Sequence, residues 1–131
     1  MTLEQAIHER WAADAALAAL VPARQVTTGR SSRRQVPYVT MLREQARPVV
    51  RTNDGDAVQE ITLRMNVWHT DYHTGRAVLD QILTTFDRSS FSLTDSGRVL
   101  HMRRIEDAVQ QHADGLWQLT VRFLAHITPD V

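Results

Sequence analysis

Cysteine is missing from the chain, so it can form no disulfide, cysteine nucleophile or thiolate metal site; this is compatible with a reducing compartment. Glycine and proline are scarce, at five and four residues. With 43% hydrophobic and 23% charged residues, the composition is that of a folded protein and not of a disordered one. No apolar run approaches the roughly 20 residues that span a bilayer, and the opening MTLEQAIHERW lacks the basic and apolar regions of a signal peptide. The expectation is a soluble intracellular protein with no membrane partner, and 131 residues suffice for one domain, 1–131, with a core of its own. Catalytic signatures are wanting too. The serines of RSSRR, DRSSFS and TDSG stand in no nucleophile-elbow pattern, and no glycine-rich loop of the Walker or dinucleotide type occurs. Neither an enzyme nor a cofactor is expected.

Lysine is also absent. Every basic residue is Arg, and seven of the fifteen fall between Arg24 and Arg51, opposed there by Glu44 alone. The formal net charge is +0, so a basic strip faces a more acidic remainder, a dipole that can steer partners or copies of the chain. Arg24, Arg30, Arg33, Arg34, Arg47 and Arg51, followed by Asp54 and Asp56, are the candidate interface or channel residues, with Glu60, Glu106 and Asp107 as further acidic partners. The plain alternative is that the arginines solvate an exposed loop.

What is present reads as helices and strands in one layer each. Thr2 followed by Gln5 is a capping-box pattern, and Leu3, Ile7, Trp11 and Leu17 predict a single helix to about Leu20, closed by Pro22. QVPYVTMLRE predicts a strand with Val36, Tyr38, Thr40 and Leu42 on one face, Pro37 suiting its first residues or an edge. Asn53-Asp54-Gly55 signals a turn at the tip of a protruding hairpin or loop. Ile61, Leu63, Met65 and Val67 then alternate with polar residues, the cleanest half-buried strand in the chain. Leu79, Ile82, Leu83 and Phe86 predict a second helix from about Tyr72 to Phe86, with Thr70 or Asp71 as N-cap. RVLHMRRIEDA reads as a strand exposed on one side. LWQLTVRFLAHI reads as a central one with Trp117, Leu119, Val121, Phe123, Ala125 and Ile127 on one face. The expected fold class is α+β, a mainly antiparallel sheet of about four to five strands with two helices packed on one face.

NVWHTDYHTG places His69 and His73 around Asp71, which raises a metal site. His69 ends a strand and His73 begins a helix, so the imidazoles share no helical face, and no third strong ligand stands near. No metal is expected; Asp71 or Thr70 caps the helix. Two other readings stay open. One is a small ligand-binding domain or enzyme with a pocket near Trp68, His69, Tyr72 and His73. The other is a nucleic-acid-binding module using Arg30, Arg33 and Arg34, although aromatics that would stack bases are not interleaved with them.

Four stretches in order, ALAALVPAR, VPYVTM, VWHTDYHTGRAVLDQIL and DGLWQLTVRFLAHI, resemble the small tail-completion proteins of long-tailed bacteriophages and prophages, also called tail terminators or head-tail joining proteins. The match in order covers nearly the whole chain and departs in the Arg-rich RQVTTGRSSRR. The resemblance implies a structural protein of the virion tail, present in the host cytoplasm during assembly. It implies self-association as a ring, commonly a hexamer, that ends the tail tube and meets the head connector, with non-specific contact to DNA in the channel.

Overall fold

The computed structural model describes residues 2–29, 35–51, 57–93 and 97–128. The first helix, α1 (Leu3–Ala13), begins at the capping box: Gln5 N donates to Thr2 Oγ1 at 3.2 Å and Thr2 N to Gln5 Oε1 at 2.9 Å. It does not run to Leu20. Asp14 takes extended backbone and accepts from Leu17 N at 3.0 Å, so the alanine-rich stretch restarts as α2 (Ala15–Leu20). The Asp14 carboxylate also accepts from Thr85 Oγ1 at 2.8 Å, which fixes the bend against the later helix.

After a 3-10 turn (Ala23–Gln25) come β1 (Val26–Thr28), β2 (Tyr38–Arg51) and β3 (Ala57–His69). Next are α3 (Tyr72–Phe86), β4 (Ser89–Ser92), β5 (Arg98–Gln111) and β6 (Trp117–Thr128). Among the described residues they form an α+β arrangement with three α-helices and a mixed six-stranded sheet in the order β1-β2-β3-β6-β5-β4. The expected count of strands is exceeded by the short β1 and β4, and β1 runs parallel to β2. β2 and β3 pair from Tyr38↔Trp68 to Arg51↔Ala57, a long hairpin, while the Asn53-Asp54-Gly55 turn lies outside the described residues.

The central strands carry the core. Leu63 faces Phe123, Met65 faces Val121 and Val67 faces Leu119, all buried beneath Val78, Leu79, Ile82 and Phe86 of α3 and Leu3, Ile7 and Trp11 of α1. α3 starts at Asp71, whose carboxylate accepts from Thr74 N at 2.9 Å. Its first turn sits close to the sheet because Gly75 has no side chain: a Cβ there would lie 2.8 Å from Leu119 Cδ1. On β2 the core face is Val39 and Met41, and the face of Tyr38, Thr40 and Leu42 looks away from the helices. Glu4, the buried acid of α1, receives Arg43 Nε at 2.9 Å and Nη2 at 3.0 Å, which ties the helix to β2.

Candidate functional site: the bare sheet face and its open edges

Among the described residues no helix covers the other face of the sheet, and its side chains form cross-strand rows. Arg122 Nη1 donates to Glu106 Oε2 at 2.8 Å and Nη2 to Glu44 Oε2 at 3.3 Å, while Arg64 Nη2 lies 3.6 Å from the same Glu44 oxygen. The bond to Glu106, and then that to Glu44, holds the Arg122 guanidinium above its ordinary pKa. The next row joins Arg47 Nε to Glu60 Oε1 at 3.0 Å and His126 Nε2 to Glu60 Oε2 at 3.0 Å. Toward the opposite end, Asn66 Oδ1 accepts from Thr120 Oγ1 at 2.8 Å and from Gln118 Nε2 at 2.9 Å. Beyond it the Trp68 ring stacks on Tyr38 at 5.9 Å and approaches His112 at 5.4 Å.

Two β-bulges shape this face. Of the residues at which the register of β2 and β5 shifts, Glu44 and Ile105 are the two level with the central Leu63↔Phe123 pair, and Val49 and Leu100 lie nearer the strand ends. Bulges increase twist and bend a strand. Here they flank a depression lined by Glu44, Gln45, Thr62, Ile105, Glu106 and Arg122. Arginines and carboxylates balance in the rows, so the face offers fixed, mutually neutralised charge rather than a concentrated basic site.

Of the residues singled out from sequence, Arg24 is exposed in the 3-10 turn, Arg47 is exposed on β2 and Arg51 ends that strand. Arg30, Arg33, Arg34, Asp54 and Asp56 lie outside the described residues. Trp68 and His69 are not brought to one face of the sheet. Adjacent strand residues point to opposite faces: Trp68 stacks on the bare face, whereas His69 Cβ lies under Gly75 on the helix side. Tyr72 meets Trp117 edge-on at 5.2 Å. His69 Nδ1 accepts from Asp71 N at 2.9 Å, so that nitrogen and the Asp71 carboxylate both serve the start of α3. The Arg64–Arg122 cluster was not singled out from sequence; its only signal was arginine at the polar positions of the two best-patterned strands.

Among the described residues three carboxyls sit below their usual pKa. Glu60 is lowered chiefly by its bond with His126 and then Arg47, Asp14 by Leu17 N–H and Asp71 by Thr74. A depressed carboxyl stabilises the fold fully above its unfolded pKa and loses that contribution as pH falls through the folded one. The melting temperature is therefore expected to hold above about pH 5 and to fall through and below the ordinary carboxylate range. A Glu60→Gln variant should show a shallower fall in melts recorded from neutral pH to pH ~3. A decline of the same steepness would remove Glu60 from the account.

The fold has relatives among solved structures. A chain of the virion of a native gene transfer agent (GTA) particle superposes with a TM-score of 0.76 at 17% identity, over 96% of this chain and 94% of that one. No curated protein matches the chain in sequence. The family model described as Tail completion protein gp17 matches residues 5–128.

Proposed function

The chain belongs to the tail completion protein gp17 family, and from that premise we propose that it is a non-enzymatic structural protein of a phage-type virion tail. It closes the tail tube by associating with copies of itself as a ring, a hexamer in the family it resembles, and offers a surface to the head connector. The observation that carries this reading is the extent of the family match, which takes in every described strand of the sheet, α2, α3 and all but the first two residues of α1. Two features agree with it. Among the described residues the ionisable groups at the middle of the bare face pair with each other in cross-strand rows, while Arg47 and Glu106 at the outer ends of those rows stay more than half exposed. The charged strip from Arg24 to Arg51 ends along β2, whose outer edge carries no strand beyond Met41 among the described residues, which favours a neighbouring subunit over DNA as its partner.

The protein acts in the virion tail after assembly in the host cytoplasm. Deleting its gene from a phage or prophage that carries it should leave filled heads beside tails of abnormal length that fail to join, scored by electron microscopy. Normal, joined tails would overturn the proposal.

A further inference from the structure

Two stretches of backbone at opposite corners of the sheet have no strand beside them among the described residues. β1 pairs only with Val39–Met41, so the outer edge of β2 is bare from Leu42 to Arg51. β4 reaches only Met102, and the Asp87 carboxylate accepts from Arg104 N at 2.8 Å, so β5 is bare from Ile105 to Gln111. These are the same stretches whose side chains are exposed on both faces, from Leu42 to Val49 and from Arg103 to Gln111. Strands with one free edge and two wet faces gain little from their own fold and are templates for another chain.

We propose that these edges pair with each other between copies: β2 of one chain lies antiparallel against β5 of the next, and the sheet closes into a barrel. This rests on the ring reading above and names its contact. The polarity allows it. β2, β3, β6 and β5 alternate in direction, so a copy rotated about an axis along the barrel brings β2 to β5 in antiparallel sense, a heterologous contact that closes on itself.

The register follows from the positions of the two bare stretches. That of β2 is level with Arg64 to Ala57 of β3, whereas that of β5 is level, through β6, with Arg64 to His69. Neighbouring copies must therefore be staggered along the strands. The stagger must be even, because paired residues share a face and an odd step would set bare-face against helix-side residues. A stagger of about two residues sets Arg47 against Arg103, like charges directly opposed. One of about four sets Arg47 against Glu106, Gln45 against Ala108 and Leu42 against Gln110. One of about six leaves Arg47 facing Ala108. The middle register is the charge-complementary one, and its ladder stops at Pro48, which has no N–H to give. It also covers part of Leu42 and Val109, exposed by 45% and 43% in the single chain.

Four residues of rise per four strands correspond to roughly 13 Å along and 19 Å across, a strand tilt of about 35°, within the range of closed barrels. The hand agrees as well. β3 and β5 are parallel and joined through α3, and crossovers between parallel strands of one sheet are right-handed as a rule. Seen from the helix layer with β3 pointing up, β5 is then on the right and its bare stretch is the higher of the two. Each copy to the right is displaced upward, which is the tilt of right-twisted strands when the helices are outside. The rows of Glu60, Arg64, Arg122 and Asn66 consequently line the channel.

The natural absence of cysteine makes the test free of background. Particles are to be made in the deletion strain complemented with Arg47→Cys/Glu106→Cys, oxidised and run without reductant. The pair should give a series of covalent multimers, and Gln45→Cys/Glu106→Cys, out of register, only monomer. Monomer alone from particles that contain the paired variant overturns the edge contact and leaves the tail-protein reading standing, whereas particles that lack even the unaltered protein overturn both. If the paired variant does not enter particles, charge exchange decides. Arg47→Glu and Glu106→Arg should each reduce incorporation about tenfold or more, and the double exchange should restore it; no restoration overturns the contact.

Discussion

Replacing Leu63 or Val121 by Asp should abolish the cooperative thermal transition. Both side chains are fully buried, Leu63 against Phe123 and Val121 against Met65, at the centre of the two strands that carry the core. Either change forfeits about 1.5–3 kcal/mol of apolar burial and places a carboxylate in the core, where the cross-strand neighbour of Leu63, Arg43, is already engaged by Glu4, at a further cost of several kcal/mol. The sum rivals the roughly 5–15 kcal/mol that holds a domain of this size together. Leu63→Ala, which leaves a cavity but no charge, should lose about 2–5 kcal/mol and still melt cooperatively. Circular dichroism melts of the three variants measure this, and parent-like midpoints in both Asp variants would show the core to be assigned wrongly. The contrast with Arg47→Glu matters for function. Arg47 is largely exposed, and an exposed ion pair contributes at most about 1 kcal/mol. That variant should therefore melt like the parent while failing to enter particles, whereas the Asp variants fail because they do not fold.

Features legible in the sequence are those set by near neighbours in the chain. Thr2 and Gln5, or Asp71 and Thr74, meet within one turn of helix, and the alternation of β3 and β6 needs only one buried face to be visible. The separation of Trp68 from His69 follows from the same period of two. The break at Asp14 was hidden, because alanines on both sides favour continued helix and the decisive partner, Thr85, is far along the chain. β1 and β4 are too short to show a period. The buried face of β2 was obscured because Tyr38 and Leu42 are apolar, yet Val39 and Met41 are the residues under the helices. Arg64, Arg122, Glu44 and Glu106 become one cluster only after two bulges have set the register, and a bulge leaves no mark on composition. The bare edges were illegible for a related reason: β2 and β5 are long strands in sequence, and only their neighbours show where pairing stops.

Trp11→Ala is the second large effect, expected at about 3–5 kcal/mol, or a fall of roughly 10–20 °C in melting temperature. The indole is fully buried, and its Nε1 donates to Val21 O at 2.8 Å, so one side chain fills the space under α1 and closes the bent path from α1 through α2. Beside it the Arg10 guanidinium lies 4.5 Å from the Phe91 ring centroid, so the corner also links α1 to β4. Trp11→Phe keeps most of the packing but leaves the Val21 carbonyl without its donor, which should cost about 1–3 kcal/mol. Denaturant titrations rank the two, and a smaller loss for Ala than for Phe would mean that burial is not what Trp11 contributes. Incorporation into tails supplies the functional half of the test. Trp11 lies on the helix layer, away from the bare edges of β2 and β5, so Trp11→Ala should enter particles at low temperature, where it is folded, and be lost as the growth temperature approaches its melt. Arg47→Glu should fail at every temperature, because its defect is in the contact between copies and not in the fold.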